Sequence, residues 1–404
     1  MIAATSDTLT SEAHPHAGKP AWSAVFAMTM CVTVLVASEF MPASLLSPIA
    51  HDLGLTAGQA GQAISISGFF ALITSLLITT VLGSLDRRIV LVGMALLLAV
   101  SGALVALAPN YLVLMVGRAL LGVTIGGFWS LNISMTMRLL PAASVPLGLA
   151  ISNGGTALAW TVSAPLSSYV GALIGWRATF FCVVPLALAA ALWQALALPQ
   201  LRPQAGRQSG SLGRVLRNRT AVLGFAAVST FFMGQFALYT YLRPFLERVT
   251  HVEATTLSAL LLVIGLAGLA GNFVISKVVR TSLHATLVSI PLVMAGLAFA
   301  LPAFGASVAV VAVLLAAWGL VSTPAPIAWG TWLTRILPND AEAGGGLQVA
   351  SIQFAIMLGA SLGGLVIDAS GPAADFFGSS AILLLAALLA FFGSRSAHLH
   401  QTRK

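Results

Sequence analysis

The chain has 404 residues, of which 58% are hydrophobic and only 7% charged. Soluble domains are about a quarter charged, so this composition excludes a water-facing surface and predicts a chain that crosses a bilayer many times. The formal charge of +8 lies on no basic stripe of a soluble domain, so nucleic acid is not an expected partner.

Residues 1–21 read as a polar N-terminal tail, retained because the apolar run behind it is too long for a signal-peptide core. Runs of about 20 apolar residues cross ~30 Å of hydrocarbon as helix. They are predicted near 22–46, 59–80, 89–107, 111–136, 146–170, 178–198, 220–242, 255–276, 284–304, 308–334, 345–367 and 376–394. Helices are expected because lipid offers no partner to an open strand edge. Pro, Gly, Asn and charge punctuate the breaks, as in "APN" at 108–110 and "LPND" at 337–340.

The Arg-, Gln-, Gly- and Ser-rich stretch 199–219 reads as a linker between bundles at 22–198 and 220–394, with a short tail at 395–404. The halves echo each other. "MRLLP" at 137–141 recurs as "TRILP" at 334–338, and "APLSSYVGALIG" at 164–175 aligns with "ASLGGLVIDASG" at 360–371. Offsets of 197 and 196 predict two parallel, pseudo-symmetric six-helix repeats, an all-α polytopic membrane protein.

Charge asymmetry orients the chain. With both termini inside, the inner segments hold all but four of the 19 basic residues. The exceptions are Arg177, Arg243 and Arg248 on the outer side and Arg118 within a span. Both termini are therefore expected in the cytoplasm, in a plasma (inner) membrane, and the lipid bilayer is the one large partner; a monomer is expected. The seven histidines fall in polar breaks or tails, and Cys31 and Cys182 sit in apolar runs. Neither set has ligand or disulfide spacing, so no cofactor and no metal are expected.

Polar residues are unevenly spread. The third, sixth, ninth and twelfth runs are almost featureless and read as lipid-facing scaffold. The first, fourth, fifth, seventh, tenth and eleventh carry polar side chains, which cost a few kcal/mol in hydrocarbon unless they face protein or water. Small residues in "GVTIGG" at 122–127 and "GLAGLAG" at 265–271 are expected to let helices approach closely.

Several motifs resemble the major facilitator superfamily in its 12-helix drug:proton antiporter branch. They are "SLDRR" after the second run, "GRALLGVTIGGFW" in the fourth, and "APL" in the fifth followed by "GWR". "GQFALYTYLRP" at 234–244, "WGTWLTR" at 329–335 and "QVASIQ" at 348–353 resemble purine-nucleoside exporters of that superfamily. The resemblance implies a transporter and not an enzyme, working by alternating access. Its implied partners are a small-molecule substrate and protons. The departures are specific. The signature at Asp86, Arg87 and Arg88 lacks intervening residues, and the fifth-run motif keeps Gly154, Ala164 and Pro165 but has Ala before Pro and no final Gly pair.

Glu39 is the intramembrane acid of the first run, about 25 Å up from Trp22 at ~1.5 Å per residue. Arg118 lies at a similar depth, about 10 Å below Tyr111. A carboxylate paired with Arg118 keeps its charge, and one parted from it in a dry place takes up a proton. Glu39 and Arg118 are thus the expected proton-coupling pair. The resemblance assigns Arg118 to proton transfer, and Asp86, Arg87 and Arg88 to latching an inner gate. A purine nucleoside needs an aromatic platform and amides that donate and accept. Gln235, Tyr239 and Gln353 are the first candidates, followed by Trp129, Asn132 and Trp329. Asp368 is expected to face outer-side water or cap a turn. A different solute, and a non-transporting sensor, are the alternative readings.

Overall fold

The computed structural model describes residues 21–83, 85–201, 215, 217–337 and 341–401. The predicted tail 1–21, save Ala21, and most of the predicted linker lie outside the described residues. Among those described, twelve helical segments are long and apolar enough to cross a membrane. They are span 1 (Trp22–Ser44), span 2 (Ala57–Ile78), span 3 (Arg87–Ala106), span 4 (Tyr111–Asn132), span 5 (Ala142–Ile174) and span 6 (Trp176–Ala197). Span 7 (Arg219–Arg248), span 8 (Ala254–Val279), span 9 (Leu283–Ala303), span 10 (Val308–Ile336), span 11 (Gly344–Ser370) and span 12 (Pro372–Gly393) follow. Each predicted run meets one of these spans. An even number of crossings puts both ends on one face, here the terminal face. The opposite, distal face carries the turns near residues 54, 108, 175, 251, 305 and 371.

The ends are set by local chemistry. Thr56 and Gln59 form a reciprocal capping box at the start of span 2. Asn110, the predicted break, caps span 4 by accepting from the Val113 N–H at 3.1 Å. The repeats are visible in the backbone. Gly175 and Gly371, the final residues of the two aligned stretches, turn the chain with φ of 83° and 82°. Spans 1 and 7 are both interrupted, at Leu45 (φ −113°, ψ 12°) and at Tyr241 (φ −107°, ψ 14°), positions again 196 apart. A short helix follows each interruption on the distal side, Leu46–Leu53 after span 1 and Leu242–Arg248 as the last part of span 7.

Two further departures from the predicted runs matter for the site. Span 10 is broken between helices Val308–Ser322 and Ala325–Ile336, because Pro324 and Pro326 remove two backbone donors in succession. Span 12 begins at Pro372, four residues before the predicted start, which brings Asp375 into it.

Close packing follows the small residues. Gly122 and Gly126 of span 4 seat against the backbone of Ser67 and Ala71 in span 2. Gly265 of span 8 seats against Thr161 of span 5, and Gly268 and Gly271 against Thr323 and Leu320 of span 10. Spans 1 and 7 are the most enclosed, with 72% of their apolar windows buried against 33–56% for the others. They form the centre. Spans 3, 6, 9 and 12 are not set apart by burial as sharply as the polar pattern predicts.

The two halves meet along a seam closed from mid-membrane to the distal face. Gly58 and Gly61 of span 2 press on Gly364 of span 11 and on Tyr241. Gly68, midway along span 2, meets the backbone of Gln353 and Met357. Ser361 bonds Gln62 at 3.1 Å and Ser65 at 3.0 Å. Nearer the terminal face, Gly330, Gly345 and Gly346 have open space where a side chain would be.

Candidate functional site

The site begins with a proline. Pro42 has no N–H, so the carbonyl of Ser38, four residues back, lacks its helical partner. Arg118 supplies one. Its fully buried guanidinium donates to the carbonyls of Ser38 at 2.7 Å, Glu39 at 2.8 Å and Ala63 at 2.8 Å. It also donates to the Ser67 hydroxyl at 3.0 Å. Spans 1, 2 and 4 are thereby pinned at one point.

Arg118 and Glu39 do share a depth, as expected, but they meet through the backbone. The Glu39 carboxylate accepts from Gln353 Nε2 at 3.3 Å. Glu39 is 4% exposed. Its bond joins the first half to span 11 of the second, so the contact is broken whenever the halves part at that level. A buried acid whose partner belongs to the opposite bundle can register which way the seam is open.

Phe40, next to Glu39 on the helix, points elsewhere. It stacks on Trp160 of span 5 with centroids 4.2 Å apart, and on Phe236 of span 7 at 5.4 Å. Tyr239 meets both Phe40 and Trp160 at 6.4 and 6.2 Å. Phe40 and Phe236 are 196 residues apart, so their stack lies on the pseudo-two-fold axis. The same offset relates Glu39 to Gln235.

Behind this aromatic group lies a narrow pocket of about 50 Å³ in this conformation. Trp160, Thr161 and Ala164 line it from span 5, and Phe232, Gln235 and Tyr239 from span 7. Leu261, Ile264 and Gly265 come from span 8, and Trp318, Ser322, Thr323 and Pro326 from the broken span 10. Gln235 is buried and its Oε1 has no partner. Pro165 and Pro326 remove the N–H groups that the carbonyls of Thr161 and Ser322 would meet in unbroken helices. The walls therefore combine flat π faces with a few acceptors, and broken helices are where transporters place solutes.

Of the sequence-predicted residues, the structure brings Gln235 and Tyr239 into this pocket and places Gln353 beside Glu39. Trp129, Asn132 and Trp329 do not line it. Asn132 donates to Ser152 at 3.0 Å within the first half. Trp329 packs on Phe231 and Trp332 inside the second half, and Trp129 packs against the core. Phe40, Trp160, Phe232 and Trp318 were missed. Their residue types do not mark them, because an aromatic side chain in a membrane-spanning run reads as packing or an interfacial anchor.

Asp86, Arg87 and Arg88 make no described contact with the second half in this conformation. Asp86 caps span 3 at the Arg88 N–H and accepts from the Leu201 N–H, both at 2.9 Å. Arg87 N–H donates to the Leu201 carbonyl at 3.1 Å, and the Arg88 guanidinium to that of Ala195. Burial works against ionisation of Asp86, but the N–H groups of Arg88 and Leu201 outweigh it and hold the carboxyl below its usual range. On the distal face, Asp368 caps a helix of the opposite half. It accepts from the Thr56 hydroxyl at 2.6 Å and the Gly58 N–H at 2.9 Å. Glu247 holds Arg243 at 2.7 Å and Ser47 across the seam, and Arg243 reaches the Ser44 carbonyl. Among the described residues no group of three His, Cys, Asp or Glu could hold a metal ion.

Comparisons with known proteins agree with this architecture. A relative from Pseudomonas aeruginosa, 52% identical over 93% of this chain and 94% of its own, is named transcription regulatory protein OpdE. Relatives from Salmonella paratyphi B and Salmonella typhimurium, 37% identical over 92% of this chain and 94% of theirs, are named purine ribonucleoside efflux pump NepI. Among solved structures, a bacterial homologue of the human lysosomal transporter Spinster, inward-facing and unoccupied, superimposes with a TM-score of 0.75 at 16% identity. It matches 94% of this chain and 98% of its own. A D-xylose–proton symporter matches at 0.75 and 15% identity, over 92% of this chain and 98% of its own. The sequence model of the Major Facilitator Superfamily matches residues 24–345, and this chain is a multi-pass membrane transporter of that superfamily.

Proposed function

We propose that this transporter exports purine nucleosides or related bases in exchange for protons. The observation that carries the reading is the division of labour around span 1. Glu39 faces span 11 across the seam, while Phe40 faces the aromatic wall of the pocket. One helix thus presents a proton site to the moving interface and an aromatic surface to the solute site. A purine offers π faces to Trp160 and Phe232, and N–H groups to Gln235 and the freed carbonyls. The relatives named as purine ribonucleoside efflux pumps support this substrate class.

With both termini cytoplasmic, as the basic residues favour, the described conformation faces inward. Solute loads from the cytoplasm. When the bundles tilt and spans 2 and 11 part, the Glu39–Gln353 bond opens, and Glu39 takes a proton from the outer side. Its return inward resets the carrier. The location proposed is the plasma (inner) membrane.

The test is flux in proteoliposomes. Radiolabelled inosine or guanosine should accumulate against its gradient when a pH gradient is imposed, and Glu39→Gln should abolish accumulation while leaving solute exchange. Accumulation undiminished in Glu39→Gln refutes the proton assignment. Movement of a sugar, amino acid or drug in place of nucleosides leaves the mechanism standing with another substrate. A second reading, a membrane sensor, is favoured by the 52% identical relative named as a transcription regulatory protein. Binding of a solute without flux would support it.

A further inference from the structure

We propose that Asp375 is a second proton-carrying carboxyl of this transporter, shut off while spans 2 and 11 are closed and opened to the distal side when they part. Asp375 is 2% exposed and its Oδ2 has no hydrogen-bond partner. A carboxylate oxygen left without a partner in a buried place disfavours the charged form, and binding a proton is a remedy that needs no neighbour. The acid lies one turn inside span 12, in the space left by Gly363 of span 11, where a side chain would strike Asp375 Oδ1 and the Tyr241 ring. The adjacent Phe376 is locked by its stack on Phe245 at 4.3 Å, which fixes this turn.

Tyr241 stands between Asp375 and span 2 in this reading. Tyr241 is fully buried and donates its hydroxyl to the Ala360 carbonyl at 2.6 Å. The hydroxyl sits where span 2 meets span 11, against Gly61 on one side and Gly364 on the other. Gly58 and Gly61 belong to the half that moves away when the distal seam opens. Withdrawing them uncovers Tyr241 and lets water approach Asp375, and closing them seals it again. Alternating exposure of this kind is what a coupling site needs. Tyr241 from span 7 and, beyond it, Asp368 from span 11 are the titratable groups facing Asp375. Span 9, which packs on span 12 through the Ser380 bond to the Ala295 carbonyl at 2.8 Å, brings no titratable side chain to this end among the described residues. In the step itself, a hydronium ion from the distal side gives a proton to Oδ2: its own O–H bond breaks as the carboxyl O–H bond forms, water is released and the carboxylate charge is cancelled.

This site depends on the moving seam and not on which solute is carried, so it is tested without a solute. Infrared difference spectra of the purified protein in lipid nanodiscs, taken in D2O between neutral and alkaline pH, report protonated carboxyls by their C=O stretch. We expect a band that is present in the wild type and in Glu39→Gln and is lost in Asp375→Asn. Asp375→Glu, which keeps an acid if the amide disturbs folding, should retain the band at a shifted frequency. Spectra of Asp375→Asn and Asp375→Glu that superimpose on the wild type would overturn the proposal. In Gly61→Leu, whose side chain takes the place of the Tyr241 hydroxyl, the same band should exchange with deuterium faster. Unchanged exchange there would remove the gating half of the claim.

Discussion

Arg118 donates to the Ser38 carbonyl that Pro42 leaves without a helical partner. The proline and the buried charge are therefore one device: the proline creates an acceptor, and the arginine is held by it. An unsatisfied buried carbonyl costs about 1–3 kcal/mol. Arg118→Ala should lower stability by at least that much. In a Pro42→Ala background the restored N–H meets Ser38, so the same substitution should cost ~1 kcal/mol less, a coupling that a double-mutant cycle resolves. Cys31 is buried, and in a Cys182→Ala protein its reaction with a thiol dye on heating reports unfolding. Purely additive effects would separate Pro42 from Arg118.

The aromatic wall makes a second prediction. Trp160 is stacked on Phe40 at 4.2 Å and lines the pocket. Aromatic contacts contribute about 0.5–1.5 kcal/mol beyond area. Trp160→Leu should therefore weaken solute binding roughly 2- to 10-fold, a tenfold change being ~1.4 kcal/mol. Trp129→Leu and Trp329→Leu, which sit outside the pocket, should leave affinity unchanged. Equilibrium binding of labelled nucleoside to the purified protein distinguishes them.

How much of this was legible in the sequence depends on which force wrote each feature. Hydrocarbon thickness sets span length, so the spans could be read from residue types alone. The repeat was legible where backbone geometry demands glycine, at Gly175 and Gly371. Glu39 and Arg118 stood out because charge is costly in lipid. Their actual relation was hidden, because Arg118 binds carbonyls, and carbonyls are present at every position. The pocket was hidden for a similar reason. Trp160 and Trp318 look like packing residues until spans 5 and 10 are seen side by side around one pocket. Asp375 stands one residue outside the run predicted at 376–394, and the helix that buries it starts four residues sooner, at Pro372.

The distal seam should be tunable. Asp368 places a carboxylate at the N-terminus of span 2, in a contact made across the closed seam. A charge at a helix N-terminus contributes about 0.3–1 kcal/mol. Asp368→Asn should shift the population toward the distal-open form by roughly 2- to 5-fold. Gly61→Leu, which displaces Tyr241, should shift it further. Spin labels at Leu55 and Ala369 would measure the two distances, and an unchanged distribution in both variants would deny the latch.

At the terminal face the resemblance led us to expect a gate, whereas the described contacts of Asp86 are to the N–H groups of Arg88 and Leu201. Losing a capping side chain costs about 0.5–2 kcal/mol, and the partly exposed site places this one in the lower part of that range. The pH dependence carries a sign. Because the folded carboxyl titrates below its usual range, its contribution is complete above the ordinary aspartate value of about 3.9 and fades as pH falls through the folded value. Thermal midpoints of wild type and Asp86→Ala should therefore differ by a constant amount from about pH 5 to 8, and converge below about pH 4. A variant with unaltered midpoints but altered transport rate would instead favour the latching role, exercised in the conformation where the terminal face is closed.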